Sequence, residues 1–169
     1  SAARAGAEVL LVEETALLGG SLTYARFDAD GHSADALRDE LVRELDAETS
    51  VEVMTDAVCT GLYADNWLSI VKRNRLYKVR ARAVVIATGS HEQPLVFRNN
   101  DLPGVMLGSA AQRLIKLHGV RPGRCAVVVT ANGDGYGVAL DLAEAGTEVA
   151  CIADLRAEPG AGGRAEAAR

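Results

Sequence analysis

The chain has 169 residues, with 18 Lys and Arg against 23 Asp and Glu, a formal net charge of −5 and 49% apolar residues. That balance fits a soluble globular core and argues against a disordered chain. No apolar run approaches the ~18 residues of a membrane span, and the opening SAARAGAEVL lacks the regions of a signal peptide. Cys59, Cys125 and Cys151 form an odd, widely spaced set, expected as reduced thiols of a cytoplasmic protein rather than a disulfide framework.

In chain order, the Ala-rich start ending in Gly6 predicts the last turns of a helix and its C-cap, so the chain is expected to open inside a helix. Glu8–Glu14 (EVLLVEE) reads as a short strand ending in acid, followed by a loop with Gly19 and Gly20. Ser33 offers an N-cap for a helix through about Glu48, with Leu37, Leu41 and Leu45 spaced at four on one face. Val51 to Val71 alternates as strands do, with Gly61 and the Ala64-Asp65-Asn66 turn inside it. Tyr63 and Trp67 flank that turn and are expected to pack rather than to stack bases.

Charge is unevenly distributed. Residues 1–66 carry 4 basic and 14 acidic side chains, a net of −10, whereas residues 67–100 carry 7 basic and 1 acidic, a net of +6. The basic block, Lys72 to Arg82, raises a nucleic-acid reading. From Tyr77 onward, however, Tyr77, Val79, Ala81 and Ala83 alternate with Lys78, Arg80 and Arg82. A period of two lines the cations along the solvent face of a half-buried strand. The acidity elsewhere also opposes a phosphate-backbone partner, and none is expected.

Ala83 to Ala87 (AVVIA) is a continuous apolar run, predicted as a strand buried on both faces. Residues 91–108, with two prolines and two glycines, read as a long loop. Ser109–His118 is predicted as a helix, Arg124–Thr130 as a second buried strand, Tyr136–Ala145 as a helix and Thr147–Ile152 as a strand. Strand, helix and strand within about thirty residues predict a crossover unit of a parallel sheet. Residues 157–169 show no apolar periodicity. The fold class is therefore α/β, a parallel sheet with an antiparallel β insertion.

Three motifs carry chemistry. First, Glu13 and Glu14 stand where a strand ends and a Gly-bearing loop begins. In dinucleotide-binding folds an acid there accepts hydrogen bonds from the adenosine ribose, because the carboxyl end of a parallel strand faces the ligand crevice. Gly19 and Gly20, without a Cβ, let backbone pass close to a cofactor. The competing reading is a simple turn. Second, Val84–Ser90 (VVIATGS) runs an apolar strand into Ala-Thr-Gly, a pattern of flavin- and nicotinamide-dependent oxidoreductases, which places Thr88 and Gly89 beside the dinucleotide.

Third, in VVVTANGDGYGVALDLAEAG, Gly137 occupies the third glycine of a GxGxxG turn, the one needed for close helix–strand packing. The first two glycines then fall at Asn132 and Asp134, and a carboxylate at that helix N-terminus repels pyrophosphate. Gly133 and Gly135 lie out of register and are read as loop flexibility. The expectation is a nucleotide-binding fold that has lost its phosphate site. His32, His91 and His118 lie far apart with no ligand-spaced Cys or carboxylate, so no metal site is predicted. No CxxC and no GxSxG elbow is present.

ATGSHEQPLVFRNNDLPGVMLGSAAQ (residues 87–112) resembles the alpha subunit of heterotetrameric sarcosine oxidase, and the likeness continues through RPGRCAVVVTANGDGYGVALDLAEAGTEVACIADLR. Related amine- and opine-oxidising or cyanide-forming flavoenzymes share ATG and PGVM, and are the alternative, with a non-catalytic assembly scaffold beside them. The resemblance implies a two-dinucleotide-binding-domain, Rossmann-like fold, binding NAD where relatives bind FAD, within a larger subunit that carries a folate-binding domain. It implies oxidative demethylation of sarcosine to glycine by the whole complex. FAD would lie on a beta subunit, with FMN at the boundary between subunits. Formaldehyde would pass to tetrahydrofolate and oxygen become hydrogen peroxide.

Carried over by position, Glu13 would hold the ribose, Gly19, Gly20, Thr88 and Gly89 would line the cofactor, and backbone at Val58 or Cys59 would face the adenine. No residue matches a catalytic group of the amine oxidation. The family's first strand and its GxGxxG turn have no counterpart here. Residues 1–118 are thus expected to be a partial first dinucleotide-binding domain, 119–156 a degenerate second unit and 157–169 a tail or helix start, all cut from a longer chain of a hetero-oligomer.

Overall fold

The computed structural model describes residues 2–29 and 32–157. The chain divides into two compact units, Ser1–Gly20 with Asp35–Gly89, and Ser21–Ala34 with Ser90–Arg169.

In the first unit a 3-10 turn, Ala3–Ala5, ends at Gly6, whose φ of 86° is the left-handed C-cap that favours glycine. The predicted helix end is thus a single 3-10 turn. Strand β1 (Val9–Val12) pairs in parallel with β4 (Val51–Met54), in the register Val9↔Val51 to Val12↔Met54. Between them in sequence lie two-residue strands β2 (Asp28–Ala29) and β3 (His32–Ser33), then helix α1 (Ala34–Asp46). Parallel pairing needs such a crossover because the chain must return to its starting edge. No residue of α1 is fully buried, and Leu41 of its leucine face is half exposed.

β5 (Ala57–Tyr63), β6 (Trp67–Lys72) and β7 (Arg75–Arg80) form an antiparallel meander. Asp65 and Asn66 turn its first corner at positive φ, a conformation Asp and Asn tolerate better than most. A bulge between Cys59 and Gly61 shifts the register. Met54, Ala57 and Ile70 are buried together, with Leu10, Val12, Leu68, Tyr77 and Val79 packed against them. Tyr77 and Val79 thus face the core while Lys78 and Arg80 are exposed, the predicted period of two. Tyr63 and Trp67, expected to pack, are exposed instead. Trp67 lies beneath the Arg80 guanidinium, 5.9 Å from ring centroid to carbon, because the pleat turns both side chains outward.

Ala83–Ala87, predicted as a strand buried on both faces, forms no strand. Residues 81–107 contain neither helix nor strand, and Val85 and Ile86 are 89% and 71% exposed. A buried parallel strand is held by ladders on its neighbours, and no described strand pairs with this run.

In the second unit, α2 (Gly108–His118), β8 (Cys125–Thr130), α3 (Asp134–Glu144) and β9 (Glu148–Asp154) follow one another, and β8 pairs in parallel with β9. The apolar residues of both helices pack one face of this pair. Ala111, Val128, Val138, Ala139 and Leu142 are buried, with Ile115, Ala126, Val149 and Ile152 against them. Burial of β8 is therefore one-sided, not two-sided as its apolar run predicts: Cys125, Val127 and Val129 are exposed. The NNDLPGV segment folds as consecutive turns, with Asn99 and Gly104 at positive φ and Asn100 Nδ2 donating to Leu95 O at 3.1 Å. Residues 158–169, and the tail predicted there, lie outside the described residues.

Candidate dinucleotide site

The apolar run of β1 stops at Val12, and Glu13 continues the exit. Its N–H donates to Met54 O at 2.9 Å and its carbonyl accepts from Ala57 N at 3.0 Å. Glu13 is half-buried at the carboxyl edge of a parallel pair, with its backbone tied to the residue before Val58. Glu14 is exposed. The Glu13 Oε1 accepts from Thr15 N at 2.9 Å and from Thr15 Oγ1 at 2.8 Å. Gly19 and Gly20 follow at φ of 119° and 53°, in the left-handed half of the map where a side chain strains the backbone. A Cβ built on Gly20 or Gly89 meets nothing within 4 Å, so the space beside each is open.

All eight predicted positions fall in the first unit. Glu13 and the β4–β5 junction before Val58 and Cys59 are joined by hydrogen bonds, and Val58 and Cys59 lie exposed on β5. Thr88 and Gly89 are exposed in irregular chain, Gly89 at φ 72°, with no described hydrogen bond to the others. Thr15, which grips Glu13, went unread in the sequence. A hydroxyl two residues after the strand-end acid was the available signal.

The β8–α3 turn fills itself. Asn132 Nδ2 donates to Asp134 Oδ2 at 3.1 Å, Asp134 N donates to Asn132 Oδ1 at 3.0 Å, and Asn132 N donates to Thr130 Oγ1 at 3.2 Å. The Asp134 carboxylate thus stands at the first turn of α3, where a phosphate would otherwise be drawn by the helix N-terminus. Helix and strand approach closely at Gly135. A Cβ on Gly135 would collide with the Thr130 side chain, whose Oγ1 lies 2.5 Å from it. Gly135 is the second residue of α3 rather than a flexible loop position.

At the end of β9, Asp154 accepts from Arg156 N and Nε at 3.0 Å each, from Arg156 Nη2 at 2.6 Å and from Tyr136 Oη at 2.9 Å. The Arg156 guanidinium holds the Asp154 carboxyl well below the usual carboxylate range, its backbone N–H and the Tyr136 hydroxyl adding to the effect. Burial, then the bond to Asp154, pushes the Tyr136 phenol up. Each partner is satisfied by the others.

No family model matches the chain. Curated relatives do. The chain is 39% identical over 167 residues to the sarcosine oxidase alpha subunit of Corynebacterium sp. (strain P-1), a match covering 89% of this chain and 17% of that protein. It is 35% identical to the same subunit of Rhizobium meliloti (strain 1021), covering 99% of this chain and 18% of the relative. This chain is homologous to sarcosine oxidase alpha subunits. It spans under a fifth of their length. An opine oxidase subunit of Agrobacterium tumefaciens (strain Ach5) is 31% identical over 100 residues, 59% of this chain.

Among solved structures, the L-proline dehydrogenase from P. horikoshii superposes with a TM-score of 0.75 at 24% identity, covering 90% of this chain and 32% of that one. A NAD-dependent persulfide reductase from A. fulgidus does so with a TM-score of 0.61 at 21% identity, covering 90% and 30%. The chain shares with these two proteins a mixed α/β fold of parallel and antiparallel sheets.

Proposed function

We propose that this chain is the dinucleotide-binding segment of an oxidoreductase subunit of the sarcosine oxidase alpha type, with NAD as the cofactor and FAD the alternative in the same place. The observation that carries this reading is Glu13, half-buried at the carboxyl end of parallel β1 and followed by Gly19 and Gly20 at positive φ. The residues fit the group: an acceptor carboxylate for ribose hydroxyls, and open space at Gly20 and Gly89 for close backbone approach. A bound dinucleotide supplies a ring that accepts or donates hydride. The chain's own groups bind and orient it, Glu13 at the ribose, Glu14 at the rim, Gly19, Gly20, Thr88 and Gly89 along the cofactor, and backbone at Val58 or Cys59 toward the adenine. None is assigned a catalytic role.

On this reading residues 1–118 belong to the first dinucleotide-binding domain and 119–156 to a second unit in which Asp134 replaces the phosphate. The protein works in the cytoplasm with the other subunits of a hetero-oligomeric oxidase, which hold further FAD and FMN and oxidise the amine, sarcosine by preference. Titration of NAD and FAD against the full-length protein tests it. Saturable NAD binding that Glu13→Ala weakens is the expected result. Saturable binding of neither dinucleotide would instead assign the segment to holding the oxidase together.

A further inference from the structure

Thr15 is engaged on three sides. Its N–H and its hydroxyl both lie on Glu13 Oε1, at 2.9 and 2.8 Å, and the hydroxyl is also 2.8 Å from Leu17 O. Its carbonyl accepts from Asp56 N at 3.1 Å, and Asp56 sits at a left-handed φ of 50° in the β4–β5 junction. One residue therefore links the exit of β1, the start of the glycine loop and the β4–β5 corner. All of these lie within the first unit.

The consequence is stereochemical. A glutamate has three rotatable side-chain bonds, and immobilising it on a ligand costs rotamer freedom. The Thr15 N–H donates to Oε1, and the single hydroxyl proton is shared between Oε1 and Leu17 O, whereas Oε2 accepts no hydrogen bond among the described residues. Oε2 is thus the oxygen left to accept from a ribose diol.

We propose that Thr15 is the positioning residue of the dinucleotide site: it fixes the Glu13 rotamer in advance and directs ribose recognition to Oε2. The proposal rests on the dinucleotide reading above and goes beyond it by assigning how the carboxylate is held. Thr15 touches no cofactor itself. It acts through Glu13.

The test is a double-mutant cycle in the full-length protein, with NAD as the probe and the dissociation constant as the readout. Thr15→Val keeps the shape and removes the hydroxyl, and NAD affinity is expected to fall about three- to tenfold, the worth of one hydrogen bond. Thr15→Ser restores the donor and is expected to bind as the parent does. In a Glu13→Ala background the Thr15→Val change is expected to have no further effect. Thr15→Ala serves the same comparison should the valine variant not fold.

Unchanged affinity in Thr15→Val, failure of serine to rescue, or additivity of the two changes overturns the inference while leaving the site reading standing. Parental affinity in Glu13→Ala overturns both.

Discussion

Gln112 donates from Nε2 to Asp141 Oδ2 at 2.8 Å, joining α2 to α3 through a carboxylate whose side chain has no solvent exposure. Asp141 Oδ1 also accepts from Arg26 Nε at 3.1 Å and lies 3.4 Å from Lys116 Nζ. Arg26 continues to Glu144, and Tyr24 stacks 4.5 Å from the Arg113 guanidinium. A fully buried anion persists only where its lone pairs are met. Here it ties Arg26 to the two helices.

Asp141→Ala is therefore expected to destabilise the chain by about 3–5 kcal/mol, since it strands Gln112 and takes the shared carboxylate from Arg26 and Lys116. Glu144 is more than half exposed, and Glu144→Ala should cost about 1 kcal/mol or less. Denaturant unfolding distinguishes the two, and equal effects would refute the assignment.

Gly135→Ala places a methyl against Thr130, which is buried and bonded into the Asn132 turn. We expect a loss of about 1–3 kcal/mol from this overpacking. Gly61→Ala meets first the ring of Tyr63, an exposed side chain that can swing aside, and should unfold within about 0.5 kcal/mol of the parent. Similar melting shifts for both would contradict the helix–strand contact.

Asp154 sets a pH dependence. Its carboxyl is depressed in the folded state by Arg156, so its stabilising contribution is present above the unfolded value of about 3.9 and is lost as pH falls below it. Melting temperatures measured from about pH 5 down to about pH 2 should fall more steeply for the parent than for Asp154→Asn. Parallel curves would show that the carboxylate carries no such linkage.

Glu13 and Glu14 are adjacent, yet Glu13 is half-buried and bonded to Thr15 whereas Glu14 is exposed. Glu13→Gln should weaken NAD binding roughly tenfold, by removing a charge-assisted acceptor, whereas Glu14→Gln should change it less than about twofold. Isothermal titration of the two variants in the full-length protein decides between them, and a larger effect at Glu14 would move the ribose contact to the rim.

Most elements were legible because local rules decide them. Gly6 and Gly119 end their elements in the left-handed conformation that only a missing Cβ makes cheap. The alternation at Tyr77–Arg80 set which side chains face the core, and the acid after β1 marked a strand exit. Ala83–Ala87 failed for the opposite reason. An apolar run records a preference for burial, whereas a strand exists only with a neighbour to complete its hydrogen bonds.

The sequence by itself determined most of the helices and strands, the family likeness and the candidate residues Glu13, Gly19 and Gly20, which follow from local pattern and backbone freedom. Only the tertiary structure decided that Gly135 meets Thr130, that Asp141 is the buried carboxylate, and that Thr15 holds Glu13. Those are contacts between residues whose separation along the chain, or whose side-chain direction, no periodicity encodes.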